Sequence, residues 1–391
     1  MDITIQPGKL QGTVAAIPSK SQAHRWLICA AFADRPTELI CPDTNRDIEA
    51  TADCLRALGA QIQRTTTGYT ITPCAAVPDT AVLDCCESGS TLRFLLPIAG
   101  ALGVDAAFVL AGRLPERPLS PLWKEMERMG CVLTRPTANT IRCQGKLQAG
   151  EYRIDGSVSS QFISGLLLAL SLLDNESKLE ITGRIESRPY IEMTVKAMEL
   201  FGVNPARLGG QTFRSPGLLT VEGDWSNAAF FLSAQQLGSQ LHITGLEPDS
   251  PQGDRAVVHL LPQLSETAPV IDASDIPDLV PILAVVAAAK NGATFTNIQR
   301  LRLKESDRVA SVLEMLRNLG GKAESTQNCL TVYGTSLQGG TVNACGDHRI
   351  AMSAAIAATV CTESVTVLGA ESVQKSYPQF WAEYRRLGGK I

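Results

Sequence analysis

Six stretches of the chain are apolar on nearly every face of a helix, and each opens with polar or small residues: SKSQAHRWLICAAFA, SGSTLRFLLPIAG, SSQFISGLLLALSLL, WSNAAFFLSAQQLG, IPDLVPILAVVAAA and DHRIAMSAAIAATV. A helix without a wet face belongs inside a core, so each is expected to be buried. Their first residues, Ser19, Ser88, Ser159, Trp225, Ile276 and Asp347, are 69, 71, 66, 51 and 71 residues apart, the mark of an internal repeat.

Between them runs a second, amphipathic series: CLRALGAQI, MERMGCVL, MELFGVN, MLRNLGGKA and YRRLGGKI. Its glycines, Gly59, Gly130, Gly202, Gly320 and Gly388, suit the left-handed residue after a helix. LLPQLSETAPV fills the remaining place without a glycine, and stretches such as QIQRTTTGYTIT and NCLTVYG alternate as strands. The pattern predicts six repeated βαβαββ-like units, three per domain, in an α/β protein with buried helices inside and sheets outside. The repeats bound the first domain at 19–221 and the second at 222–391; the strand before Ser19 fits either by pattern and is expected with the second, as 1–18 plus 222–391.

Length and composition agree with two globular domains: 391 residues exceed one ordinary core, and 45% hydrophobic with 19% charged residues excludes a disordered chain. A net charge of −4 argues against a general nucleic-acid binder and leaves room for a local basic pocket. The N-terminus lacks a signal-peptide pattern, and no apolar run is long enough to cross a bilayer, so a cytoplasmic protein without membrane partner is expected. Eleven cysteines include no CxxC pair, and several sit in apolar segments, which fits buried reduced thiols. Four scattered histidines give no metal-ligand spacing, so no metal is expected.

The helix starts carry the candidate chemistry. A helix N-terminus offers free N–H groups and a partial positive charge, so SKSQAHR, SGST, SSQ and DHR are possible anion sites. Serine N-caps alone would explain the serines. They do not explain Lys20, Arg25 and Arg349, since cations are disfavoured at that end of a helix. LAGRLPERPLSP adds Arg113 and Arg117 in a Pro-rich segment, and VQKSYPQF adds Lys375. LKESDR (303–308) packs four charges into six residues. Read as the first turn of the following helix, it puts Glu305 in line with Val309, Val312, Leu316 and Leu319 on the apolar stripe. Asp307 then serves as a helix-start or salt-bridge residue.

These motifs, PSKSxxxR, ESGSTLR, ERP, DGSVSSQF, SRPY, IPD, LRLKESDR, GDHRIAM and KSYP, resemble in order those of the 5-enolpyruvylshikimate-3-phosphate synthase family of enolpyruvyl transferases. The resemblance covers the whole chain. It implies a two-domain inverted, inside-out α/β barrel with its site in the interdomain cleft, and a monomer that needs no cofactor. It also implies transfer of the enolpyruvyl group of phosphoenolpyruvate to the 5-hydroxyl of 3-phosphoshikimate, in the shikimate pathway to chorismate.

By the same resemblance Lys20, Gly89, Arg117, Gln161 and Lys375 hold the phosphate end of phosphoenolpyruvate, and Arg308 with Arg349 its carboxylate, a task suited to the planar guanidinium. Lys20, Ser21, Arg25, Ser159, Ser160, Gln161, Ser187, Asp278 and Lys304 are the implied 3-phosphoshikimate residues. Asp278 is the implied base at the hydroxyl and Glu305 the acid and base at the methylene carbon, with Lys20 and His348 as further catalytic candidates. Clustering four such cations about 7 Å apart would cost ~14 kcal/mol at an effective dielectric near 20, so substrates are expected to draw the domains together.

Four positions depart from the family pattern: Glu87 for a usual Asn, Ser90 for Thr, Trp26 at a commonly small site, and Arg300 where some members have Asn. Two alternatives accompany this reading. One is the sister transferase acting on UDP-N-acetylglucosamine, which carries a loop cysteine near RLPERPL and lacks KESDR; the other is a catalytically silent anion-binding relative. Neither GxxxxGK[ST] nor GxGxxG occurs, which argues against a nucleotide-dependent kinase.

Overall fold

The computed structural model describes residues 1–391, which divide into two compact units, Pro18–Glu222 and Met1–Ile17 with Gly223–Ile391. Each has its own apolar core. The first unit holds helices α1 (Lys20–Ala31), α2 (Arg46–Ala57), α3 (Gly89–Leu102), α4 (Leu122–Arg128), α5 (Ser160–Ser171) and α6 (Arg188–Leu200). The second holds α7 (Trp225–Gln236), α8 (Val257–Glu266), α9 (Val280–Ala289), α10 (Arg308–Asn318), α11 (His348–Ala357) and α12 (Phe380–Arg386). The odd-numbered helices are the six apolar ones, and most or all of their residues are buried. The even-numbered ones are the second series, with an exposed side.

Strands form six sheets, and each sheet contains one parallel pair. Three sheets share one four-strand pattern. In the sheet containing Thr80–Asp84, that strand runs parallel to Asp105–Val109, and Thr140–Gly145 then Cys131–Thr137 add antiparallel. Leu218–Thr220, Thr37–Ile40, Gly68–Thr72 and Gln61–Arg64 repeat that order, as do Val270–Asp272, Gly292–Thr296, Cys329–Tyr333 and Lys322–Ser325. Both N-terminal strands pair within the second unit: Asp2–Ile5 with Val365–Leu368, and Gln11–Ala15 with Gln240–Thr244.

A shared turn delivers the chain from strand to buried helix. Asp84, Asp155, Asp272 and Asn343 each end a strand and accept the N–H two residues on, from Cys86 (2.9 Å), Ser157 (2.8 Å), Ser274 (2.9 Å) and Cys345 (2.8 Å). Such side chains offer the backbone a local alternative to the ladder, which stops the strand just before α3, α5, α9 and α11. At the far ends of the amphipathic helices, Gly59, Gly130, Gly202, Gly320 and Gly388 all have positive φ. That is the left-handed conformation in which a side chain would be strained.

Two helix starts differ from the pattern reading. The fifth buried helix begins at Val280 rather than Ile276, because two successive turns precede it, Ile276 donating to the Ala273 carbonyl and Leu279 to the Ile276 carbonyl. The helix after LKESDR begins at Arg308, not Glu305: Asp307 is its N-cap, and its carboxylate accepts the Ala310 N–H at 3.1 Å. Glu305 is therefore off the helix and not part of its apolar stripe.

Candidate active site

In the second unit, the turn before α9, the segment before α10 and the start of α11 bring charge together around one buried guanidinium. Arg308 is 1% exposed. It donates Nη1 to Asp278 Oδ1 at 2.5 Å, Nη2 to Glu305 Oε2 at 2.6 Å and Nε to Asp347 Oδ2 at 2.8 Å. Arg349 donates Nη2 to the other Asp278 oxygen at 2.8 Å, and Lys304 Nζ lies 3.6 Å from Asp278 Oδ1. Asp347 also caps α11, accepting the Arg349 N–H at 3.0 Å, and receives the Ser306 hydroxyl at 3.1 Å. One wholly buried carboxylate thus fixes both arginines, Arg308 by its side chain and Arg349 by its backbone.

The balance of charge sets the protonation states. Burial alone would raise the Asp278 carboxyl, but Arg349, Lys304 and Arg308 together hold it well below the usual carboxylate range. Burial opposes charge on Arg308 as well, yet Asp347, Glu305 and Asp278 keep it firmly protonated. Lys304 goes the other way: burial pushes its ammonium down to about 8, with Asp278 opposing and Arg308 and Arg300 assisting. Between about 8 and the ordinary lysine value of ~10.4 the unfolded chain holds a proton that the native site has released. Stability due to this group therefore rises with pH through that window. Unfolding measured from pH 7 to 10 should show the native chain gaining stability relative to Lys304→Met; parallel curves would contradict the shift.

Lys375 donates to the Gly346 carbonyl at 2.6 Å, in the turn just before α11, and His348 lies buried in the first turn of that helix. Among the described residues no group of three His, Cys, Asp or Glu side chains is placed to hold a metal.

In the first unit the helix starts bring a second set together. Lys20, at the first position of α1, pairs with Asp47 of α2 at 2.9 Å. At the start of α3, a Cβ on Gly89 would lie 2.8 Å from Arg117 Nη1 and 3.0 Å from Arg93 Nη1. A side chain here would push both guanidinium groups away from this backbone. Arg93 donates to Gln161 Oε1 at 2.7 Å, and Gln161 donates to Ser90 Oγ at 2.9 Å, which links the starts of α3 and α5. Ser159 caps α5 through the Gln161 N–H at 3.3 Å, and Ser160 beside it is buried. Ser187 precedes α6 with φ 54°, an uncommon conformation for serine.

Arg25, an expected 3-phosphoshikimate residue, already gives three hydrogen bonds to the protein itself. Its guanidinium is buried between helices and donates to Thr194 Oγ1 (2.7 Å), the Ser21 carbonyl (2.6 Å) and the Tyr190 carbonyl (2.7 Å). Glu87 lies against Gly112, where a Cβ would fall 2.1 Å from its Oε2.

Asp47, Arg93 and Asp347 were not among the sequence candidates. Arg93 had a signal, a charged residue inside an apolar helix. Asp347 stood in GDHR and read only as a helix start. Asp47 had none, because its partner is 27 residues away.

The sequence model of the EPSP synthase (3-phosphoshikimate 1-carboxyvinyltransferase) family matches residues 5–384. The chain belongs to the EPSP synthase family. The 3-phosphoshikimate 1-carboxyvinyltransferase of Clostridium kluyveri is 38% identical over 420 aligned positions, covering 100% of this chain and 98% of that one. That of Clostridium beijerinckii is 38% identical, covering 99% of this chain and 98% of its own. A solved EPSP synthase from Acinetobacter baumannii shares the fold at TM-score 0.79 and 23% identity, covering 99% and 98% of the two chains.

Proposed function

We propose that this EPSP synthase family member transfers the enolpyruvyl group of phosphoenolpyruvate to the 5-hydroxyl of 3-phosphoshikimate, releasing phosphate, in the shikimate pathway of aromatic amino acid biosynthesis. The observation that carries the chemical reading is the pair of carboxylates, Asp278 and Glu305, held on two nitrogens of the buried Arg308. Addition requires the hydroxyl oxygen to bond to C2 of phosphoenolpyruvate, the hydroxyl proton to go to a base, and C3 to take a proton. Elimination expels phosphate from C2 and returns a proton from the new methyl group. Two carboxylates meet both demands. Asp278 takes the hydroxyl proton and passes it on to the departing phosphate; Glu305 enters the addition protonated, gives that proton to C3, and regains one from the methyl group in the elimination.

Arg308 and Arg349 receive the substrate carboxylate. An incoming carboxylate competes with Asp278 for the same guanidinium donors, and each donor withdrawn raises the basicity of Asp278. Lys20, Gly89, Arg117, Gln161 and Lys375 hold the phosphate and stabilise it as it leaves. Ser21, Arg25, Ser159, Ser160, Ser187 and Lys304 serve 3-phosphoshikimate, with Arg25 shaping the pocket through its clamp on Tyr190 and Ser21. His348 assists from the start of α11.

The same reading takes the fold as the inside-out barrel of six units, three in each domain. The alternation of buried and amphipathic helices and the parallel pair in every sheet support it. It takes the chain as a cytoplasmic monomer; no helix is long and apolar enough to cross a membrane. The names of the relatives favour 3-phosphoshikimate over UDP-N-acetylglucosamine as acceptor. The test is release of phosphate from phosphoenolpyruvate: it should require 3-phosphoshikimate, and no release with that acceptor would sink the proposal.

A further inference from the structure

A chain of buried hydroxyls crosses the first unit and ends at the start of α3. His24 on α1, Thr51 on α2, and Ser88 and Thr91 at α3 are each 0% exposed. His24 Nδ1 is 2.7 Å from Thr51 Oγ1, and Thr51 Oγ1 is 2.7 Å from Thr91 Oγ1. Thr91 Oγ1 donates to Ser88 Oγ at 2.7 Å, and Ser88 Oγ also accepts the Thr91 N–H at 3.2 Å. Neither His24 nor Thr51 is a defining position of any motif in this chain.

Each hydroxyl has one proton, so the direction of the whole chain follows. Thr91 gives its proton to Ser88, and its 3.5 Å approach to the Asp47 carbonyl is too long to compete. Thr51 must then donate to Thr91, and His24 must donate from Nδ1 to Thr51. His24 is neutral, because burial, with Lys20 and Arg25 nearby, holds its imidazole well below the usual range. Its Nε2 has no hydrogen-bond partner. Ser88 Oγ accepts twice, which leaves its own proton to donate beside Gly89.

The chain runs parallel to a second link. Lys20 and His24 are one turn apart on α1, and Asp47 and Thr51 are one turn apart on α2, so Lys20–Asp47 and His24–Thr51 form successive rungs. The second rung continues through Thr91 to the start of α3, where Arg117 and Arg93 approach Gly89. The second rung thus ties the helix that carries Lys20 to that helix start through buried side chains.

We propose that Thr51 and Thr91 are positioning residues for the phosphate of phosphoenolpyruvate, holding Lys20 and the Ser88–Gly89 start of α3 in register through the directed hydroxyl chain from His24. The inference rests on the assignment of that phosphate to Lys20 and Gly89. Thr→Val keeps shape and removes the hydroxyl. Thr51→Val and Thr91→Val should each raise KM for phosphoenolpyruvate about fivefold or more, equivalent to ~1 kcal/mol. Because Lys20 also stabilises the departing phosphate, kcat should fall in the same variants, KM for 3-phosphoshikimate should change less than KM for phosphoenolpyruvate, and Thr91→Ser should restore the native values. Variants that lose stability while keeping the native KM would reduce the chain to a structural role and overturn the proposal. If the valine variants do not fold, Ser88→Gly, which suits an N-cap, replaces them with the same expected change and the same overturning result. Nitrogen-15 NMR of the native protein reads the His24 tautomer without turnover: protonation at Nδ1 is expected, and protonation at Nε2 would overturn the proton order. A native chain that releases no phosphate would instead remove the underlying assignment and leave the tautomer result standing.

Discussion

Glu305→Gln should lower kcat by about 10²–10⁴-fold while both substrates still bind, because the amide keeps the shape of the side chain and loses the proton that C3 must receive and return. Glutamine can still accept from Arg308, whose Nη2 now reaches Glu305 Oε2 at 2.6 Å. Stability should therefore change little, and the loss should fall on kcat rather than KM. Asp278→Asn tests the other proton and should also abolish most turnover. It removes a charge contacted by Arg308, Arg349 and Lys304, so it should weaken the fold of the second unit as well. Titration calorimetry of each variant with 3-phosphoshikimate, beside steady-state rates, separates binding from chemistry. Near-native kcat in either variant would remove that residue from the proton transfers.

Arg308→Met should destabilise the protein by ~3–5 kcal/mol and abolish measurable use of phosphoenolpyruvate. The side chain is 1% exposed and bonds three carboxylates at once, one of them, Asp347, itself 0% exposed. Methionine fills the volume but takes the shared cation from Glu305 and Asp347, leaving Asp278 only Arg349 and Lys304, the costly way to break a buried pair. Arg308→Lys should recover part of the stability and little of the affinity. A lysine supplies one point of charge where the arginine sends three nitrogens to three partners. Denaturant unfolding and KM for phosphoenolpyruvate measure the two effects. A lysine variant with native KM would contradict the carboxylate-clamp assignment.

Much of the fold was legible because it is written in local pattern. Helices without a wet face had to be buried, and glycines after amphipathic segments had to be left-handed. Both follow from backbone chemistry within a turn or two. The site was less legible where its geometry depends on partners distant in sequence. LKESDR shows the difference: its charges marked the right place, yet helical periodicity put Glu305 on a helix that Asp307 starts three residues later. An N-cap carboxylate accepting a backbone N–H overrides the apolar stripe that Glu305 would have extended. Asp347 read as one more helix cap, and only the fold reveals that it also anchors Arg308, 39 positions earlier. Arg25 read as an anion ligand from its place near a helix start, whereas three of its donors are spent on α6 and its own helix. Sequence spacing locates a cation; only tertiary packing shows how many of its hydrogen bonds remain for a substrate.

The central claim is the transfer of an enolpyruvyl group to 3-phosphoshikimate, and phosphate release from phosphoenolpyruvate with two acceptors in parallel tests it most directly. With 3-phosphoshikimate, phosphate and the enol ether should appear in equal amounts; with UDP-N-acetylglucosamine, release should stay at the level without acceptor. Release only with the nucleotide sugar, or with neither acceptor, would contradict the account.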